Sequence, residues 1–219
     1  MLKVTFPDGA QKEYDKGITP LEIAQSISHS LAKRLLSASF NNKQVESSTK
    51  LFENGNIEFY FWDDLKGKNA FWHSSAHLFA QIILELYPKS KLTIGPPIDN
   101  GFYYDVDLGH KTISENDFEK IENMMIEEAR KDHKFILKES SKKDALDFYK
   151  KNKNQYKTEL INDLNDEKIT FCVHANFSDL CKGGHIPSTG HIKAVKLLNV
   201  AGAYWRGDEK NKQLTRVYG

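Results

Sequence analysis

Two pairs of side chains, each spaced i, i+4 and lying about a hundred residues apart, constrain most tightly how this chain can fold. The first is His73 and His77 in His-Ser-Ser-Ala-His; the second is Cys181 and His185 in Cys-Lys-Gly-Gly-His. On a helix, residues four apart lie one above the other on the same face. A helix through the first pair therefore presents two imidazoles to one cavity, and the second pair closes that cavity only if distant segments meet. By ligand type His73, His77, Cys181 and His185 form a tetrahedral zinc set. The same four also suit the lining of a metal-free hydrolytic pocket.

At 219 residues the chain holds one large or two modest domains. Its 39% hydrophobic and 28% charged content is that of an ordinary globular protein and argues against disorder. Lys and Arg number 31 against 30 Asp and Glu, so there is no global attraction to nucleic acid and any RNA contact must use local patches. Cys172 and Cys181 are too few for a disulfide framework, and the start Met-Leu-Lys-Val-Thr-Phe reads as a strand rather than a signal peptide. No apolar run approaches the roughly 18 residues that span a membrane. The expectation is a cytoplasmic protein with reduced thiols and no membrane partner.

Residues 1–62 read as a small β-grasp, ubiquitin-like unit. A strand at 2–6, a Pro7-Asp8-Gly9 turn and a second strand at 12–14 precede a helix that Thr19 caps and Pro20 starts. Leu21, Ile23, Ala24 and Ile27 form its apolar side. Strands follow near 35–40 and 57–61, separated by Asn41-Asn42-Lys43 and an Asn54-Gly55 turn. Residues 63–68 read as a linker. The remainder, to 219, is a larger α+β block with a mainly antiparallel sheet. It opens with a helix over 69–87, stopped by Pro88, in which Phe71, Ala76, Phe79, Ala80, Ile83 and Leu84 pack inward. Ser114 and Asp117 form a capping box before a helix carrying Phe118, Ile121, Met125 and Ala129. One or two Lys-rich helices occupy 141–165, and strands are expected at 169–173, 194–200, 203–206 and 213–218. Taken singly, Asp179 reads as a turn residue, Lys157 as a solvated charge and Cys172 as core. Lys138, Lys142, Lys143, Lys150, Lys151 and Lys153 read as a solvated face that could also touch phosphates.

Three runs resemble bacterial threonyl-tRNA synthetase: Phe71-Trp72-His73-Ser74-Ser75-Ala76-His77, Ile94-Gly95-Pro96 through Asp99-Asn100-Gly101-Phe102-Tyr103-Tyr104-Asp105, and Asp179-Leu180-Cys181-Lys182-Gly183-Gly184-His185-Ile186-Pro187. The likeness covers essentially the whole chain and is to that family's amino-terminal region, a TGS domain followed by an editing domain. Alanyl-tRNA synthetase editing domains share the His and Cys-His pairs but not the TGS domain or the Ile-Asp-Asn-Gly-Phe-Tyr-Tyr segment. The chain is then a fragment or a free-standing editing factor; the ending Leu214-Thr215-Arg216-Val217-Tyr218-Gly219, which resembles the junction into the family's catalytic core, favours a fragment, whose partners would include the remaining synthetase domains.

The resemblance implies proofreading. Serine is threonine without a methyl, and one missing methylene discriminates by only about 1–3 kcal/mol, so a second site must hydrolyse Ser-tRNA(Thr) to serine and tRNA(Thr). His73 and Lys157 are then the catalytic candidates, for water orientation, proton transfer and charge stabilisation. Asp179 would pair with the substrate amino group or orient a histidine. His77, Cys181 and His185, with Gly95 and Tyr104, would line the serine pocket, and Tyr103, Gly183 and Gly184 would meet the tRNA 3′ end. The family's pocket is read as metal-free, so no cofactor is expected, with zinc on His73, His77, Cys181 and His185 as the alternative. Two other readings are a zinc-dependent hydrolase of a small ester or amide and a non-catalytic RNA-binding module.

Overall fold

The computed structural model describes all 219 residues. The first unit comprises β1 (Leu2–Thr5), β2 (Gln11–Tyr14), α1 (Pro20–Ile27), α2 (His29–Arg34), β3 (Ser37–Phe40), β4 (Lys43–Val45) and β5 (Gly55–Tyr60). Its sheet runs in the order β2-β1-β5-β3-β4, and β1 pairs β5 in parallel while every other pair is antiparallel, as a β-grasp requires. Leu2, Val4, Tyr14, Ile23, Phe40, Leu51 and Ile57 form its core. The Thr19 capping box is present: Glu22 N donates to Thr19 Oγ1 at 3.3 Å, and Thr19 N donates to Glu22 Oε2 at 2.9 Å.

Two local expectations change here. Ile27 is exposed, because the chain turns at Ser28, whose hydroxyl accepts from Leu31 N at 3.0 Å and starts α2 before Ile27 can reach the core. The polar stretch after β3 is a two-residue hairpin turn. Asn41 and Asn42 both take positive φ, and Lys43 begins β4 opposite Phe40.

The expected linker is absent. Asp64 turns back to accept from Phe61 N at 2.7 Å, and α3 (Leu65–Leu86) starts four residues earlier than the apolar pattern indicates. Gly67 makes this junction possible, since a Cβ there would lie 2.0 Å from the Phe61 carbonyl oxygen. Leu36 of the first unit joins the main core of the second.

That second unit continues with β6 (Lys91–Leu92), β7 (Pro97–Ile98), β8 (Gly101–Asp107), α4 (Phe118–Arg130), β9 (Ile136–Ser141), α5 (Lys142–Lys151), α6 (Gln155–Asn162), β10 (Lys168–His174), β11 (Phe177–Leu180), β12 (Asn199–Tyr204) and β13 (Gln213–Tyr218). One sheet is β11-β10-β9 and the other is β12-β13-β8-β6, with β7 also on β8; all pairs are antiparallel. The fold is α+β, as expected. α3 buries Ala76, Phe79, Ala80 and Ile83, with Phe71 and Leu84 at the core's margin. The Ser114–Asp117 capping box forms ahead of α4.

The expected strands at 194–200 and 203–206 are one strand. Residues 194–197 precede it because Glu122 of α4 accepts from Leu197 N at 2.7 Å and from Lys196, holding that segment off the sheet until Leu198 N donates to the Tyr218 carbonyl at 2.8 Å. At the other end Arg206 takes φ 57° and turns the chain. No helix is long and apolar enough to cross a membrane.

Because Gly67 faces backbone rather than a movable side chain, Gly67→Ala is expected to cost about 1–3 kcal/mol through overpacking. Thermal unfolding checks this. A midpoint lowered by several degrees is the expected result, and an unchanged midpoint would mean that the β5–α3 junction adjusts freely.

Candidate active site

α3 sets the first two side chains. His73 and His77 lie one turn apart with their rings edge to face, the centroids 4.7 Å apart. The second pair reaches them by different means, since Cys181 and His185 lie on an irregular loop after β11 rather than on a helix. Gly183 and Gly184 take φ +101° and +91°, a left-handed conformation that reverses the chain and that side chains resist. The loop is pinned to α3 by Ile186 N, which donates to Ser74 Oγ at 3.0 Å. It is pinned to β10 by Cys181 N, which donates to the Thr170 carbonyl at 3.0 Å.

The result is a tight cluster. Cys181 Sγ lies 3.0 Å from His73 Nε2 and 3.2 Å from His185 Nε2. The His185 ring stacks between His73, at 5.0 Å, and Phe135, at 5.5 Å. One donor atom from each of His73, His77, Cys181 and His185 falls within 4.8 Å of all the others.

Beside this cluster sits a buried carboxylate with four partners. Asp179 Oδ1 lies 2.6 Å from Lys157 Nζ and accepts from Tyr149 OH at 3.3 Å, while Oδ2 accepts from Tyr104 OH at 3.0 Å and lies 3.5 Å from His77 Nδ1. The His77 contact is a charge contact whose angle does not make a hydrogen bond. Two single-residue readings are thereby corrected. Asp179 is not in a turn but on β11, opposite Cys172, and Lys157, only 3% exposed, is no surface charge. Asn154 places Lys157 by capping α6: its Oδ1 accepts from Lys157 N at 3.1 Å, and its amide donates to the Leu92 carbonyl at 2.9 Å.

A cavity of about 550 Å³ opens onto these groups. Of the residues singled out in the sequence, His73, His77, Gly95, Tyr104, Lys157, Asp179, Cys181 and Gly183 are on its walls. Gly95 lets the chain pass over Tyr104, whose ring a Cβ at 95 would meet at 2.1 Å. Three others lie elsewhere. His185 sits behind Cys181, Gly184 faces Gln44 and Glu46 of the first unit, and Tyr103 points to the opposite face of β8, its ring 3.9 Å from the Arg216 guanidinium.

Burial and charge divide the protons. Burial alone would raise the Cys181 thiol, but His77, with the hydrogen-bonded His185 and His73, outweighs it and brings the thiol to about 2. Burial pushes His73 below its ordinary value, only partly offset by the hydrogen bond with Cys181, so its imidazole is neutral. His77, despite burial, is raised to about 10 by the sulfurs of Cys172 and Cys181 and by Asp179. Burial would raise Asp179 too, yet Lys157 and His77 hold it well below the usual carboxylate range. Burial and Asp179 raise Tyr104 and Tyr149, which therefore remain donors. His174, buried and lowered to about 3, backs the cluster beside Phe135 and Phe177.

Comparison with known proteins agrees with this architecture. Residues 2–60 match the TGS domain family, and residues 169–218 match the threonyl and alanyl tRNA synthetase second additional domain. The threonine–tRNA ligases of Flavobacterium psychrophilum, Flavobacterium johnsoniae and Cytophaga hutchinsonii are 58%, 57% and 50% identical over 100% of the chain. The chain matches the amino-terminal region of bacterial threonyl-tRNA synthetase. It spans about a third of the length of these curated relatives, 34% of each. Within this site, sequence reasoning missed Glu46, Tyr149, Asn154 and His174, each of which touches the site only through the tertiary fold. The one available signal was the pair Asn154 and Lys157, whose N-cap spacing places the lysine in the first turn of a helix.

The low Cys181 value makes reactivity testable. An ordinary thiol, near 8.5, loses about tenfold in thiolate for each unit the pH drops below that value, whereas a depressed one stays ionised. Alkylation of the native chain should modify Cys181 and spare the fully buried Cys172, at a rate nearly flat between about pH 6 and 8. A tenfold fall per unit would mean that the histidines do not hold the thiolate.

Proposed function

We propose that this synthetase region binds the aminoacylated 3′ end of tRNA(Thr) and hydrolyses the seryl ester, releasing serine and tRNA(Thr). The observation that carries this reading is the placement of a neutral histidine, His73, and a buried ammonium, Lys157, on the walls of one cavity. A volume of about 550 Å³ lies within the roughly 300–1,000 Å³ usual for small-molecule sites. It can hold an aminoacyl group with part of its adenosine.

Hydrolysis adds water across the ester. His73 takes a proton as the water oxygen bonds to the carbonyl carbon, and the resulting oxyanion faces Lys157, whose ammonium Asp179 and the Asn154 cap fix in place. The intermediate then expels the ribose oxygen, which receives the proton from His73. Asp179 already has four partners, so it serves this reaction by holding Lys157 and His77 rather than by seizing the substrate amine. Cys181 and His77 supply the wall that threonine's extra methyl would strike.

Time courses with Ser-tRNA(Thr) and Thr-tRNA(Thr) test the reading. Serine should be released selectively, and His73→Ala and Lys157→Ala should each slow release by about 10²–10⁴-fold. Wild-type rates in either variant would remove that residue from the mechanism.

A second reading is favoured by the donor set itself. Zinc bonds of about 2.0–2.3 Å place tetrahedral donors about 3.3–3.6 Å apart; Cys181 Sγ lies 3.0 and 3.2 Å from the His73 and His185 nitrogens, all four donors fall within 4.8 Å of one another, and both ring nitrogens of His77 lack hydrogen-bond partners. His73, His77, Cys181 and His185 therefore fit a zinc ion. When bound, zinc polarises a carbonyl or activates water. Held by the ion, His73 could not accept a proton, so the two readings diverge. Metal analysis of purified chain should find substoichiometric zinc and activity that survives chelation; one zinc per chain, lost together with activity, would transfer the chemistry to the second reading.

A further inference from the structure

The histidine–cysteine cluster is completed by a residue from the other domain. Glu46, just past β4 of the β-grasp unit, is buried and reaches across to the Gly183–His185 loop. Its Oε1 accepts from Gly184 N at 2.8 Å and faces His185 Nδ1 at 3.0 Å, while Oε2 accepts from His185 N at 3.4 Å. The loop is shaped around it. A Cβ at Gly183 would lie 3.0 Å from Glu46 Oε1, and one at Gly184 would lie 3.2 Å from Gln44 Nε2.

Simple adhesion between two domains does not call for this arrangement. Burying a carboxylate costs several kcal/mol unless its oxygens are fully engaged, and apolar side chains would join two surfaces at less cost. Here its partners are two loop amides and a ring nitrogen of the cluster. A carboxylate at Nδ1 keeps a proton on that nitrogen and fixes which way the ring faces. With Nδ1–H donating to Glu46, His185 Nε2 is directed at Cys181 Sγ, 3.2 Å away.

We propose that Glu46 of the β-grasp domain is a positioning residue for the cluster: it sets the orientation of His185, keeps a proton on its Nδ1, and holds the Gly183–Gly184 turn that aims Cys181 into the cavity. The β-grasp domain thus takes part in building the hydrolytic pocket. The inference rests on reading the cluster as the hydrolytic site, so its test includes one arm that does not depend on hydrolysis.

The test uses the 219-residue chain and two variants of nearly equal volume. Glu46→Gln keeps an acceptor at the Oε1 position; Glu46→Met keeps none. Imidazole ¹H–¹⁵N NMR reads the His185 Nδ1–H, and Ser-tRNA(Thr) deacylation reads kcat and KM separately. Glu46→Met should lose the His185 Nδ1–H signal and lower kcat by roughly 10- to 100-fold with KM little changed. Glu46→Gln should restore the signal and most of the rate. Unchanged signal and kcat in Glu46→Met would overturn the proposal and leave Glu46 as domain packing. If Glu46→Met does not fold, Glu46→Asp decides: its oxygens are withdrawn by one methylene, so a lowered kcat with a shifted Nδ1–H signal supports positioning and wild-type values overturn it. A wild-type chain that deacylates nothing would defeat the functional reading, and the Nδ1–H signal in Glu46→Met would still decide the role of Glu46.

Discussion

The buried carboxylate of Asp179 is the constraint around which the site is organised. Such a charge is tolerated away from water only when nearly every lone pair has a partner. Its partners come from four elements: His77 from α3, Tyr104 from β8, Tyr149 from α5 and Lys157 from α6. Meeting that one requirement forces the helices and both sheets to converge, and the cavity is the space left beside the convergence. Tyr149 is shared further, accepting from Leu180 N at 2.7 Å, so the strand carrying Asp179 is held by the same hydroxyl that contacts it.

The cluster next door answers to the same physics with a different balance. Three imidazoles and a thiol share a nearly dry space, and the protons they carry are set jointly rather than residue by residue. His77 touches both systems, through Asp179 on one side and Cys181 on the other. His73, with no carboxylate beside it, is the member left free to exchange a proton with a substrate.

What the sequence made legible was local. The Thr19 and Ser114 capping boxes, the apolar stripe of α3 and the first β-hairpin depend on neighbours within about four residues, and all are present. Strands β9 and β11 escaped because their side chains do not alternate cleanly: β9 is largely exposed on both faces, and β11 carries a buried acid where an apolar residue would be expected. The four-residue spacing also concealed two mechanisms, a helical turn for His73 and His77 and a glycine reversal for Cys181 and His185. Glu46 could not have been singled out at all. One acid among 30 acquires its meaning only when β4 is laid against a loop 138 residues away.

The two glycines of that loop carry a consequence for how the chain can vary. A side chain at either position would meet a backbone handedness that costs roughly 1–2 kcal/mol and, separately, the carboxylate or amide of the neighbouring domain. Mutational drift in this segment is therefore limited from both ends of the chain at once. A substitution on β4 that changes the space beside residue 184 alters which residues the loop can accept, so the tolerances of residues 44, 46, 183 and 184 are coupled.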